Sequence, residues 1–255
     1  QPMEYHKETV RQGADLDAER LLSQDAMQRG WSCLARFAER LAGFQPAQVR
    51  AVATQTLREA RNRDEFLSVA QRILGFPIDV IAGREEARLI YQGVAHLLPQ
   101  SDERRLVIDI GGRSTELIVG SGYQPQAMES YRVGSVAWSM RYFPEGKLSA
   151  GNFKRAEIAA QSLLDDAVSS HGRAHWDADY VCSCTVGAVA DTLAVAGHAP
   201  RPQLITRAGL EWLRDKLIKA RHVDAIRLEG IKDERKPVIA GGLAVLRALF
   251  ELLDI

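Results

Sequence analysis

At 255 residues, with 46% hydrophobic and 26% charged side chains, the chain can bury one large core or two modest ones and is not a disordered polymer. Its 33 basic and 33 acidic residues cancel to a formal net charge of zero, which removes any global attraction for nucleic acid or an anionic membrane, so a polyanion must be held by local clustering. No apolar stretch approaches the roughly 20 residues of a membrane span, no leader pattern follows Gln1, and three cysteines suit a reducing compartment. A cytoplasmic protein is expected, and both ends look cut, because Gln1 is not a start methionine and Ile255 stops within an amphipathic pattern.

In chain order, Ala26, Trp31, Leu34, Phe37 and Leu41 recur at helical spacing, with Ser23 as N-cap and Gly43 as stop. Residues 49–54 read as a strand, 56–74 as helical with a break near Asn62, and 78–81 as a strand. Parallel strands need such a crossover, which predicts an α/β layer and not an antiparallel sandwich. Residues 84–97 form a long helix, and the polar stretch 99–103 is the expected domain boundary, giving domains 1–99 and 100–255. Residues 106–110 and 117–119 are short β-branched runs joined through Gly111-Gly112, a β-hairpin and not a strand leading into a helix. Beyond it come a strand near 128–133, a helix over 149–169, a strand at 180–183, and helices over 185–196, 206–221 and 236–253, the last broken at Gly241-Gly242. No repeat or low-complexity tract is present.

The hairpin tip is the segment best suited to chemistry. Glycine permits positive φ and close backbone approach, so the N–H groups around Gly111 and Gly112 can converge on an anionic oxygen, with Ser114 and Thr115 adding hydroxyls. Asp109 and Glu116 bracket that cup, badly placed for a naked anion but well placed for a cation or a water beside one. The plainer alternative is a Gly-Gly hairpin with a solvated tip. Glu85 and Glu86 open a helix after a strand, at a ligand-binding edge of such sheets, although the helix dipole alone favours carboxylates there. Arg58, after Thr54-Gln-Thr, can bind phosphate or, with Arg61, form a solvated basic face. Ser183-Cys-Thr185 is a second strand-to-helix turn, or an N-cap. Gly241-Gly242 is either a nucleotide-approach loop or a site of close helix packing. Cys182-Ser-Cys184 is a weak zinc signal, and none of the six histidines shows catalytic spacing.

These motifs together resemble the exopolyphosphatase and guanosine pentaphosphate phosphohydrolase (Ppx/GppA) family. Asp109-Ile-Gly-Gly-Arg-Ser-Thr-Glu116 is similar to its signature, Ala53-Thr-Gln-Thr-Leu-Arg-Glu-Ala60 to its Ala-Thr-x-x-Leu-Arg-x-Ala segment, and Gly83-Arg-Glu-Glu-Ala-Arg-Leu-Ile-Tyr91 to its Glu-Glu helix. Val133-Gly-Ser-Val136, Ser183-Cys-Thr185 and Glu234-Arg-Lys-Pro-Val-Ile-Ala-Gly-Gly-Leu-Ala244 resemble later blocks, so the likeness covers most of the chain. The resemblance implies two ribonuclease-H-like domains of the actin-like, sugar-kinase-like superfold with a cleft between them. It implies Glu86 as general base, Asp109 and Glu116 as carboxylates that bind magnesium or position the water, Gly111, Gly112, Ser114 and Thr115 as the phosphate loop, and Arg58 as a phosphate contact. It implies hydrolysis of the terminal anhydride of inorganic polyphosphate, an anhydride that guanosine pentaphosphate shares, and a homodimer that the residues themselves do not show.

Three departures matter. The family's opening Asp-Leu-Gly-Ser-Asn-Ser-like loop has no counterpart, which leads us to expect a crippled fragment; Arg113 and Cys184 each stand where the family pattern has Gly. A non-catalytic phosphate or nucleotide sensor is therefore the competing reading. An actin-like or sugar-kinase ATPase is a third, against which the paired Glu85 and Glu86 argue.

Overall fold

In the computed structural model, which describes residues 5–255, the chain divides into two compact units, Gln1–Ala82 and Gly83–Ile255. The first unit holds α1 (Gln24–Arg40), β1 (Ala51–Ala53), α2 (Gln55–Glu59), α3 (Arg63–Leu74) and β2 (Ile78–Val80). The Ser23 hydroxyl caps α1 by accepting from the Ala26 N–H, as its position predicts. Asn62 separates α2 from α3 and uses its amide to bridge the N–H and carbonyl of Leu22. β1 and β2 pair in parallel, Ala51 beside Ile78, so the strand, helix, strand order of the sequence is realised. Met27, Leu57, Phe66 and Ala70 form the core of this unit, with Trp31 stacked on Phe66 at 5.9 Å.

The second unit begins with α4 (Gly83–Leu97), followed by β3 (Arg104–Ile110), β4 (Thr115–Ser121), β5 (Gln124–Tyr131), α5 (Ser135–Tyr142), α6 (Ala150–Leu164), α7 (Val168–His171), β6 (Ala178–Cys182), α8 (Cys184–Val195), α9 (Arg207–Ala220) and α10 (Lys236–Leu252). Its sheet runs β5-β4-β3-β6; the first three strands are an antiparallel meander and β6 lies parallel to β3. The division falls at Ala82/Gly83 and not at the polar linker near Pro99, because the apolar face of α4, Ala87, Tyr91 and Ala95, packs on the sheet of this unit.

Two further differences from the sequence reading have local causes. β5 starts at Gln124, not near Met128, since Gly122 closes the turn at φ 53° and the polar Gln124-Pro-Gln126 of an edge strand carries no apolar alternation. α10 runs unbroken through Gly241 and Gly242, which serve close packing: a β-carbon on Gly241 would lie 2.4 Å from Ser139, and one on Gly242 2.3 Å from the Thr185 methyl.

Period-2 alternation gives the sheet two faces. Leu106, Ile108, Ile110, Leu117 and Val119 point into the main core beneath α5, α6 and α10. Val107, Ile118, Met128 and Tyr180 point the other way, toward α4. There Tyr91 lies against Gly120, where a β-carbon would sit 2.6 Å from its ring. A bulge between Val119 and Gly120 makes Gln126 an extra residue on β5: Gly120 pairs with Pro125, but Val119 pairs with Ala127. Proline, which cannot donate to the ladder, is tolerated at such an edge irregularity.

Candidate active site

One row of side chains crosses the sheet at the end of the α4-facing surface: Ser130 on β5, Glu116 on β4, Asp109 on β3 and Cys182 on β6 are register partners in sequence. Paired residues share a face, so the hairpin itself brings Asp109 and Glu116 side by side. They lie beyond the apolar patch that Ala87 and Tyr91 cover, toward the first turn of α4, which carries Glu85 and Glu86. The structure distinguishes the two helix carboxylates. Glu85 is paired with Arg88 at 2.8 Å, one turn along the helix. Glu86 is the one whose charge acts on both Asp109 and Glu116.

Burial, and then the charge of Glu86, raises the Asp109 carboxyl to about 6. The same two causes, with a smaller contribution from Asp109, raise Glu116 to about 7, against hydroxyl hydrogen bonds from Ser130 and Ser114. Glu116 is only 1% exposed, and its Oε1 accepts from the Ser130 hydroxyl at 2.7 Å. Buried carboxylates that repel one another are a common mark of a functional site, because structure alone gains nothing from them. Cys182 is an inert neighbour: burial and the two carboxylates push its thiol up to about 12, and its Sγ donates to the Ile108 carbonyl.

The Gly111–Ser114 turn closes with the Gly111 N–H donating to the Ser114 carbonyl at 2.9 Å. The Gly111 carbonyl accepts from the Ser135 N–H, and that of Gly112 from Val136 and Ala137, so the turn's carbonyls are spent on the first turn of α5. Among the described residues the N–H groups of Gly112 and Ser114 donate to nothing within the chain, which leaves them available to an anionic oxygen. Neither glycine adopts positive φ. The value of Gly111 is steric, since a β-carbon there would stand 3.1 Å from the Ser114 carbonyl oxygen that its own N–H binds, whereas at Gly112 the nearest atom, of Val136, would be in ordinary contact. Gly134 extends the same fit, since its β-carbon would clash with the Arg113 backbone at 2.5 Å.

Thr115 is corrected in its role. It is fully buried on the opposite face, and its hydroxyl donates to the Val133 carbonyl, so that hydroxyl anchors the segment leading into α5 and is not offered to a ligand. Arg58 belongs to the first unit, where its guanidinium donates to the Gln55 side chain and, at 2.8 Å, to the Ile81 carbonyl. Ser183 caps α8 by accepting from the Val186 N–H, with φ 147°, a conformation that favours glycine. The sequence reading missed Ser130 altogether. Its signal is the β4–β5 register, which the bulge hides: continued without the extra residue, the pairing of Gly120 with Pro125 would put Glu129 opposite Glu116.

The whole chain, residues 1–255, matches the Ppx/GppA phosphatase family. The chain belongs to that family. It is 43% identical, over 255 residues, to a guanosine-5'-triphosphate,3'-diphosphate pyrophosphatase of Vibrio cholerae, and equally to its counterpart in Vibrio vulnificus. All of the chain aligns but only 50% of each relative, so it spans half the length of the curated relatives it matches. Among solved structures, an exopolyphosphatase-like protein aligns with a TM-score of 0.83 at 25% identity, covering 96% of this chain and 80% of that one. The Aquifex aeolicus Ppx/GppA enzyme aligns at 0.73 and 23%, covering 97% and 82%. The α/β, ribonuclease-H-like fold expected from the family signature is the one these structures share.

Within this fold Asp109 and Glu116 fit a hard divalent cation. Their donors are carboxylate oxygens, and a bound cation would offset the burial and the Glu86 charge that raise both pKa values. No three His, Cys, Asp or Glu side chains form a ready cage among the described residues. Magnesium does not ask for one, since it keeps several waters and commonly takes one or two carboxylates plus substrate phosphate.

Proposed function

We propose that the protein hydrolyses a terminal phosphoanhydride by direct attack of water, on guanosine pentaphosphate or inorganic polyphosphate. The observation that carries this reading is the meeting of three carboxylates, Glu86, Asp109 and Glu116, beside a turn with spare N–H donors. Glu86 takes a proton from the water as its oxygen bonds to the terminal phosphorus; the bridging P–O bond breaks, and the shortened substrate leaves with that oxygen. The Gly112 and Ser114 N–H groups hold the equatorial oxygens, where charge grows in the transition state. Magnesium, when bound by Asp109 and Glu116, would neutralise part of the phosphate charge.

Of the two substrates, guanosine pentaphosphate is favoured by the Vibrio relatives, whose names specify it, while the exopolyphosphatase-like structure keeps polyphosphate in play. A cytoplasmic setting accords with three free cysteines and with the lack, among the described residues, of a helix long and apolar enough to cross a membrane. A homodimer completes the proposal. The test is phosphate release by the full-length protein with magnesium on both substrates, beside Glu86→Gln. A loss of about 10²-fold or more in the variant supports the reading and the base. Release unchanged by the substitution removes Glu86 from the mechanism, and binding without release in the wild type establishes the sensor reading instead.

A further inference from the structure

We infer that Ser130 is a positioning residue for this chemistry, acting through Glu116; the inference rests on the hydrolase reading above. Ser130 sits directly opposite Glu116 in the β4–β5 ladder, and its Oγ donates to Glu116 Oε1 at 2.7 Å. Ser114, two residues before Glu116 and on the same side of the chain, hydrogen-bonds the carboxylate as well. The Glu116 carboxylate is thus held by two hydroxyls from two segments, in a setting with 1% exposure where water cannot take their place. Asp109, its register partner, accepts no hydrogen bond among the described residues, so the two carboxylates are not equivalent. Glu116 is the member of the row held by hydroxyls, and Asp109 is not.

The fold spends an irregularity on this contact. The bulge at Gln126 advances β5 by one residue, bringing Ser130 to Glu116 and turning Glu129 out of the row; its carboxylate pairs instead with Arg84, in the first turn of α4, at 3.2 Å. With the turn unchanged and no bulge, Glu129 would stand opposite Glu116, a like-charge cross-strand pair. A hydroxyl at this place is selective in what it does. It fixes Oε1 of Glu116 without adding charge to the row.

The experiment compares the full-length protein with Ser130→Ala and Ser130→Thr, measuring kcat and KM for guanosine pentaphosphate, Mn²⁺ affinity by electron paramagnetic resonance, and Tm. Threonine keeps the hydroxyl and suits an edge strand. The expected result is a fall in kcat of about tenfold in Ser130→Ala with KM within about twofold, weaker Mn²⁺ binding, a Tm lower by only a few degrees, and recovery of the kcat and Mn²⁺ losses in Ser130→Thr. Wild-type kcat and Mn²⁺ affinity in Ser130→Ala, or losses that threonine does not recover, would overturn the inference. Glu116→Gln separates it from its parent: if that variant is inactive while Ser130→Ala is normal, only the positioning role fails. If Glu116→Gln is fully active, the hydrolase reading of the row fails with it.

Discussion

On one face of the β3–β4 hairpin, Leu106, Ile108, Leu117 and Val119 lie wholly within the main core; on the other, the same strands carry Val107 and Ile118 and then, one step nearer the turn, Asp109 and Glu116. The faces are interleaved residue by residue, yet one carries stability alone and the other changes character partway along. The change falls where α4 begins, because the apolar side chains of that helix cover the sheet only as far as Ala87. Carboxylates placed under Tyr91 would be buried without purpose. Placed beneath the first turn, they meet Glu86 and the phosphate turn.

This contrast can be broken in order of effect. Ile108→Ala, a truncation in the sealed face, should cost about 2–5 kcal/mol in denaturant unfolding while leaving turnover per folded molecule unaltered. Asp109→Asn should do the reverse. Phosphate release should drop about 10²-fold, and thermal stability at pH 8 without added metal should rise, since the substitution removes a carboxylate that burial and Glu86 penalise. A loss of stability there would show that Asp109 belongs structurally to the core.

The same carboxylates give a pH signature. Both bind their protons more tightly folded than unfolded, at about 6 and about 7 against ordinary values of 3.8 and 4.5. Folding therefore takes up protons in that interval, and stability should be greatest below about pH 4 on this account and decline as pH rises to about 7. Melting curves of wild type and Glu116→Gln in chelator should diverge toward pH 8, with the variant the flatter. The smallest effect sharpens the role of Thr115: Thr115→Val should cost about 1–2 kcal/mol through the orphaned Val133 carbonyl, with kcat per folded molecule retained. A selective loss of kcat would return its hydroxyl to the phosphate loop.

Much of this was legible in the sequence, for local reasons. Gly111-Gly112 between β-branched runs specified the hairpin, Ser23 and Asn62 punctuated helices, and Asp109 and Glu116 flanked the turn closely enough to be paired by it. What escaped depends on contacts remote in sequence. That α4 belongs with the second unit follows from packing on strands not yet formed when the helix is read; that Gly241-Gly242 continues a helix follows from Ser139 and Thr185 lying against it. The division between Glu85 and Glu86 was set by Arg88, three residues on from Glu85, and the place of Ser130 by a single extra residue in an edge strand.

The two glycines of α10 have a mechanical consequence. Gly241 abuts Ser135 and Ser139 on α5, whose first turn grips the phosphate turn, and Gly242 abuts Thr185 at the start of α8, just after the strained Ser183. The middle of α10 thus works as a caliper whose jaws rest on the two strand-to-helix junctions of the sheet. Its gauge is the absence of two methyl groups. A side chain at position 241 would push against α5 and one at 242 against α8 and, less closely, α5, altering the span between two loops that carry none of the substituted atoms.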